Sequence, residues 1–352
     1  MAMEFYILNQ SLAIQGIIDT YKSAIWTRRY YKAGDFEIYA PATDENMELL
    51  QKGYFVIRVD DSKKGGIIDT VKINTDAEDG NYITASGKTL SNLLSRRIMW
   101  KQTRYSGYVE KALRRMVTDN CISPSISART IPNLRLGAEA GITTRFQIQM
   151  TGDNIETGIG DICKTYGLGY DIEFNLASRK CEFIVYQGTD RSFNQNVNPY
   201  VIFSPDYENI IASEYSNDAS TFKTTAQVAG EGQGVDRKKT SVGNNISGLS
   251  RFELFVDARD ISSNSGELTE AEYMALLEQR GRDKLAETGI TESVNSEVAA
   301  NQTFQLGRDY FIGDIVEVIN EYGIAMTPRV TEVIECQDDT GYTCIPTFST
   351  DD

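Results

Sequence analysis

Short runs in which apolar and polar residues alternate dominate the first hundred residues, and alternation with period two marks a strand that buries one face. Such runs fall at Glu4–Leu8 and Leu12–Ile18, separated by the turn residues Asn9-Gln10. An aromatic-rich stretch follows from Ser23 to Ala40, broken at Gly34 and closed by Pro41. A short helical turn is predicted over Thr43–Leu50, with Asp44 and Glu45 in its first turn and Met47, Leu49 and Leu50 turned inward. Strands resume at Tyr54–Val59, Gly66–Asn74 and Asn81–Ser86, the last two joined by Asp79-Gly80, a dipeptide that tight hairpins favour.

The period then changes. Thr89–Arg97 and Tyr108–Asp119 place Leu90, Leu93, Leu94 and Val109, Leu113, Met116 on single helical faces. A third helix is predicted from Asn154 to Tyr166, capped by Asp153 or Asn154 and stopped at Gly167, before a hairpin of Gly169–Phe174 and Lys180–Tyr186. After Tyr200–Phe203 come two further β-type runs, Thr221–Val228 and Arg251–Ala258. Thr269-Glu-Ala-Glu272 forms a capping box that opens an amphipathic helix carrying Tyr273, Leu276, Leu277 and Leu285. Strands are predicted again at Ser293–Ala299, Thr303–Leu306, Ile315–Asn320, Arg329–Cys336 and Thr343–Phe348, with a turn at Asp338-Asp-Thr-Gly341.

The order of elements in Tyr54–Ser86 recurs in Asp314–Phe348: strand, glycine-containing loop, strand, acidic turn, strand. The predicted fold class is therefore β-rich α+β. Residues 1–100 form a first β-barrel domain, 101–199 an α+β insertion, and 200–352 a second, related β-barrel domain with an inserted helix at 269–288. A length of 352 residues suits two or three domains, and a hydrophobic content of 41% suffices for their cores.

Between Thr221–Val228 and Arg251–Ala258 lies Gly230-Glu-Gly-Gln-Gly234, then Val235-Asp-Arg-Lys-Lys239 and a Ser/Asn/Gly run to Gly248. A phosphate-binding turn needs a helix N-terminus after the glycines, and no helical period follows Gly234. The stretch reads instead as a long, mobile hairpin loop that becomes ordered against a partner. Asp76, Asp79 and Asn81 resemble half a calcium loop without the closing glutamate, so a turn is expected there. Arg96-Arg97 and Arg114-Arg115 are expected on solvated helical faces or in ion pairs.

Composition narrows the chemistry. The chain has no histidine, which removes Ser-His-Asp and Cys-His catalysis and histidine metal sites. Its five cysteines, at 121, 163, 181, 336 and 344, include no C-x-x-C pair and are expected as reduced, buried thiols; a Cys336–Cys344 bridge across the last hairpin is the alternative. No catalytic, cofactor-binding or metal-binding residues are assigned. A formal charge of −15 argues against a surface built to grip nucleic acid, although an acidic wall could line a path along which DNA passes. Neither a signal sequence nor a membrane span is apparent, so a soluble protein made in a reducing compartment is expected.

A set of motifs carries a family resemblance: Trp26-Thr-Arg-Arg-Tyr-Tyr-Lys-Ala-Gly-Asp-Phe-Glu-Ile38, Gly87-Lys-Thr-Leu-Ser-Asn-Leu-Leu-Ser-Arg-Arg97, Val185-Tyr-Gln-Gly-Thr-Asp-Arg-Ser192, Val201-Ile-Phe-Ser204, Glu208-Asn209, Val228-Ala-Gly-Glu-Gly232, Arg251-Phe-Glu-Leu-Phe-Val-Asp-Ala-Arg-Asp260 and Tyr310-Phe-Ile-Gly-Asp-Ile-Val316. In this order they resemble tailed-bacteriophage tail proteins of the ReqiPepy type, relatives of baseplate hubs and of the N-terminal part of tail-associated, Tal-like proteins. The resemblance implies a homotrimeric ring with two barrels per chain and quasi-sixfold symmetry, placed in the virion tail after synthesis in the bacterial cytoplasm. Its implied partners are distal-tail or tail-tube rings, the tape-measure protein, and receptor-binding or spike proteins, with DNA passing through the lumen unbound. Many such relatives continue into a lytic or receptor-binding domain, whereas this chain stops at Asp352, so lytic activity is not carried over.

The expected function is thus a structural baseplate hub or tail-tip protein and not an enzyme. A cell-wall glycan-binding or glycan-cleaving tail protein is the alternative, since two carboxylates suffice for glycoside hydrolysis and Tyr and Trp stack on sugars. A receptor-binding adhesin is disfavoured by the lack of repeats and of coiled-coil periods.

Overall fold

The structure, a computed structural model, describes residues 3–76, 80–263, 268–298 and 303–350. The alternating runs of the N-terminal part form β1 (Phe5–Leu8), β2 (Ile14–Ile18), β3 (Ser23–Arg29), β4 (Asp35–Pro41), β5 (Phe55–Arg58), β6 (Gly65–Asp76) and β7 (Gly80–Thr89), with helix α1 (Asp44–Leu49) capped by the Thr43 hydroxyl. The middle part holds β8 (Thr103–Tyr108), α2 (Val109–Val117), β9 (Leu134–Leu136), β10 (Arg145–Met150), α3 (Ile155–Thr165), β11 (Gly169–Asn175) and β12 (Lys180–Tyr186). After them come β13 (Ile202–Phe203), β14 (Ile210–Asp218), β15 (Thr225–Ala229), β16 (Lys239–Gly243), β17 (Glu253–Asp257), α4 (Glu270–Ala286), β18 (Thr291–Val298), β19 (Glu317–Ile319), β20 (Ala325–Met326), β21 (Arg329–Asp338) and β22 (Gly341–Ser349).

Eleven of these strands make one antiparallel sheet, in the order β14-β18-β22-β21-β3-β4-β7-β6-β5-β1-β2. Its two halves come from opposite ends of the chain and join where β21 pairs with β3, Glu335 opposite Trp26 and Glu332 opposite Arg29. The hairpins β6–β7 and β21–β22 flank the central β3–β4 pair in mirrored places, whereas the strands that precede them differ: β5 lies in the large sheet and β19 in the small sheet β13-β19-β20.

The N-terminal half packs Phe5, Trp26 and Phe36 as a stack, with ring centres 6.1 and 5.3 Å apart, beneath Ile68, Ile83 and Ala85. The C-terminal half gathers Phe203, Tyr310, Val330, Val333 and Phe348 into a separate core. A third core joins α2, α3 and β11–β12 to Leu8, Ile57 and Leu90 of the first part, so apolar contact runs across position 100. In the fourth, α4 buries Tyr273, Leu276 and Leu277 on the small sheet β16-β15-β17. This unit is inserted between β14 and β18, adjacent strands of the large sheet.

Several expectations change. The runs Thr221–Val228 and Arg251–Ala258 do not form a hairpin: β15 and β17 run parallel, and β15 makes its hairpin with β16, a strand inside the supposed loop. A parallel pair needs a crossover, and the 230–248 segment supplies it together with its own strand. Thr89–Arg97 closes as a 3-10 helix over Leu90–Arg96, and α2 continues into a single wide turn at Thr118–Ile122. Met47 faces solvent while Leu49 and Leu50 are buried. Residues 303–306 form no strand and contribute one bridge, Leu306 to Tyr310.

Cys336 lies opposite Thr343, and Cys344 opposite Glu335, so the two cysteines sit one register step apart on opposite faces of the sheet and remain free thiols. Asp79 lies outside the described residues, as does Ala299; the last β6–β7 pair before the turn is Asp76 with Gly80. Among the described residues no helix is long and apolar enough to cross a membrane.

Candidate functional site: a charged seam and two free sheet edges

The junction of β3 and β21 buries ions where the strand pattern calls for apolar residues. Glu335 stands two residues after buried Val333 and so shares its inward face, and Arg58 closes β5 opposite Phe5. Arg58 is 2% exposed and Glu335 3%, with their Nη1 and Oε1 atoms 3.0 Å apart. The Tyr342 hydroxyl donates to Glu335 Oε1 at 3.1 Å, and Arg28 Nε and Lys64 Nζ approach Oε2 at 3.6 and 3.7 Å. Asp60 accepts both Nε and Nη2 of Arg58, at 2.8 and 2.6 Å. A cavity of about 360 Å³ opens beside this cluster, walled by Phe304, Tyr310 and Tyr342.

Burial by itself would raise the Glu335 carboxyl, but the charges of Arg58, Arg28 and Lys64 outweigh it and hold the group at about 2. For Lys64, burial and then the like charge of Arg28 push the ammonium down to about 8. Glu335 therefore stays ionised throughout the physiological range, and Lys64 is the member of the cluster brought nearest to that range. The geometry of the cluster fixes register, because a one-residue slip of β21 would turn Glu335 to the other face and leave Arg58 without it.

On the other face a charge ladder crosses four neighbouring strands. Arg29 of β3 bonds to Glu332 of β21 and to Asp35 of β4 at 2.7 Å, and Lys88 of β7 reaches Asp35 at 3.2 Å. Just beyond β3, the Tyr30 hydroxyl donates to Gly167 O and accepts from Gly188 N, both at 3.1 Å, while the Arg329 guanidinium lies 5.4 Å from its ring centre. Gly169 and Gly313 make room for that ring: a Cβ at either would come within 2.3 or 2.2 Å of it. One tyrosine of the Trp26–Ile38 motif thereby ties the middle module to the C-terminal half.

The sheet ends at β2 and β14, and neither strand has a second neighbour among the described residues. β2 is apolar at its edge, with Ile14 and Ile17 each 45% exposed. Unpaired N–H and C=O groups beside exposed isoleucines invite pairing with another chain.

Gly230 and Gly232 are packed against the protein itself, whereas Gly234 faces open space. Gly230 and Lys238 bond across the loop, Glu231 N donates to the Tyr273 hydroxyl at 2.7 Å, and a Cβ at Gly230 would lie 2.2 Å from that oxygen. Arg114 donates to the carbonyls of Gly137 and Ala138, and Arg115 pairs with Asp119, whereas Arg96 and Arg97 meet no carboxylate among the described residues. Buried Cys121 and Cys181 are pushed up to about 12 and Cys344 to about 11, in each case mainly by desolvation, so these thiols stay protonated.

Burial raises the carboxyls of Asp161, Asp171, Glu173, Asp283 and Glu317; Asp171 accepts from the Ser91 hydroxyl at 2.6 Å beside a cavity of about 20 Å³, room for about one water, and Asp161 and Asp283 line one of about 150 Å³. Among the described residues no three Cys, Asp or Glu are grouped to hold a metal ion. Sequence reasoning singled out none of the seam residues Arg28, Arg58, Lys64 and Glu335. The available signal was Glu335 at an inward position of the Arg329–Cys336 alternation.

Comparison with solved structures shows the same fold. The tail protein from Neisseria meningitidis is similar at a TM-score of 0.61 and 15% identity, covering 100% of this chain and 97% of that one. The 43 kDa tail protein of a Shewanella oneidensis prophage gives 0.61 and 14%, covering 98% of each. A Listeria monocytogenes prophage tail protein gives 0.57 and 12%, covering 99% of this chain and 94% of that one. Among curated proteins no relative matches the sequence. From residue 4 to residue 348 the sequence matches the family described as Siphovirus ReqiPepy6 Gp37-like protein, and the chain belongs to that family.

Proposed function

We propose that the chain is a structural baseplate hub or tail-tip protein of a phage or phage-like particle. Three copies form a ring below the tail tube around a channel for DNA. The observation that carries this reading is the large sheet whose end strands β2 and β14 are unpaired among the described residues, because a sheet open at two different edges offers copies a head-to-tail contact, and such contacts make a ring when the rotation between copies closes. Family membership and the fold shared with prophage tail proteins support it.

In this reading residues 1–100 and 200–352 act as two related β-barrel domains flanking the 101–199 insertion, so that three chains present six similar units to a sixfold ring. Distal-tail or tube rings, the tape-measure protein and spike or receptor-binding proteins are its neighbours in the virion tail. The net charge of −15 keeps DNA phosphates from sticking.

The test is mass in solution by light scattering, alone and mixed with tube or distal-tail ring proteins. A threefold mass, or a co-migrating complex with those rings, is expected. A chain that stays monomeric with and without them at micromolar concentration overturns the reading.

A further inference from the structure

Charge is distributed unevenly along this acidic chain. Residues 96–145 hold ten Lys and Arg against three Asp and Glu, a net of +7 within a total of −15, which leaves −22 on the remainder. Several cations of this stretch have carboxylate partners: Lys111 and Arg114 share Glu139, and Arg115 takes Asp119. Arg96, Arg97, Lys101 and Arg129 take part in no ion pair among the described residues.

Arg96, Arg97 and Lys101 lie within four residues of Trp100 along the chain and Arg129 lies over its ring; Trp100 is 54% exposed, and Ile98 and Ile126 are exposed as well. The surroundings of the tryptophan are ordered. The Arg129 guanidinium lies 5.0 Å from the Trp100 ring centre and donates to Ile98 O at 2.6 Å. Arg97 Nε donates to Arg129 O at 2.5 Å, and Arg97 Nη1 to Arg96 O at 2.8 Å. These bonds to carbonyls orient the guanidinium groups without neutralising them. Tryptophan and arginine are enriched at the centre of protein interfaces, and an exposed tryptophan under Arg129 with uncompensated cations near it in sequence favours an anionic counter-surface.

We propose that this patch docks on the acidic surface of a second copy of the chain and forms part of the joint of its head-to-tail ring. The ring is the one under Proposed function, and this inference rests on that reading. The patch is set against a different, acidic surface of the other copy, and a contact between two different surfaces repeats head to tail and makes a ring when the rotation between copies closes. The −22 on the remainder provides the opposite charge in the same molecule.

The test uses the full chain. Arg96→Glu with Lys101→Glu reverses two exposed charges and leaves the hydrogen bonds of Arg97 and Arg129 in place; Trp100→Ala removes the ring. Mass is followed against concentration at about 0.1 M and about 1 M salt, between which the screening length falls from about 10 Å to about 3 Å. Wild-type association is expected to weaken at high salt, and each variant to associate at least about tenfold more weakly at low salt. In a mixture of isotope-labelled and unlabelled wild-type chains, carbodiimide coupling is expected to join Lys101 to a carboxylate of the other copy.

Variants that form rings of unchanged affinity, with no cross-chain Lys101 product, overturn this proposal and leave the ring standing. The same result with loss of double-stranded DNA retention on a native gel overturns it in favour of a polyanion site. A wild-type chain that never assembles overturns both the proposal and the ring.

Discussion

The hairpins β6–β7 and β21–β22 hold mirrored places beside the central strands β4 and β3 and both bury apolar side chains, yet only the second also buries a charged one. The first lays Ile68, Ile83 and Ala85 over the Trp26 stack, and the second brings Glu335 inward against Arg58 and Arg28. Apolar burial is non-directional and rewards area, so the first hairpin can adjust its fit at small cost. A buried ion pair is favourable only when both partners are placed and is strongly unfavourable when one is missing. The second hairpin joins parts of the chain about 300 residues apart, where no short turn sets the register. The ionic seam supplies the specificity that a loop supplies elsewhere.

The largest effect is expected at the seam. Glu335→Ala leaves buried Arg58 with Asp60 alone and half-buried Arg28 without its carboxylate, and should cost roughly 3 kcal/mol. Urea unfolding would show it as a lower midpoint at an unchanged slope. A loss below about 1 kcal/mol would show that the two hairpins are equivalent after all.

Acid should separate them next. The folded-state pKa of Glu335, about 2, lies below its ordinary value of 4.5. Its contribution is therefore full above 4.5 and is lost as pH falls toward 2, on the order of 3 kcal/mol for the whole step. Glu335→Gln should flatten that part of the stability curve, and variants in β6–β7 should leave it unchanged.

Lys64 sharpens the comparison from the other side. Its folded value of about 8 against 10.5 means that the folded chain holds the proton less well than the unfolded one, so stability rises as pH climbs from 8 to 10.5. Lys64→Met should remove that rise and stabilise the neutral-pH protein by about 1 kcal/mol, read as a higher melting temperature. The smallest change is expected in the apolar hairpin, where Ile68→Val should cost about 0.5–1.5 kcal/mol with no pH dependence.

Features set by residues close together along the chain are legible in the sequence. Asn154 caps α3 by accepting from Glu156 N and Thr157 N, and Gly167 ends that helix region at a φ of +61°. The Thr269–Glu272 capping box opens α4, and Asp338–Gly341 closes β21 onto β22. β16 escaped notice because Lys239–Gly243 lies at the edge of its sheet and buries too little to leave an alternating pattern. The parallel pairing of β15 with β17 escaped because a short apolar run identifies a strand but not its neighbour. Arg96-Arg97 and Arg114-Arg115 look alike in sequence, and only folding brings carboxylates to the second pair and, among the described residues, none to the first.

Composition and near neighbours along the chain sufficed for a β-rich α+β protein, for its caps and turns, for the place of the helices and for the absence of histidine chemistry, because each of these depends on residue types or on positions a few apart. Long-range packing settled the rest: that β21 lies against β3, that Glu335 faces Arg58 in the seam, and that β2 and β14 are left as the sheet's edges. Those outcomes depend on which distant strands exclude water together, and a local pattern carries no record of its partner.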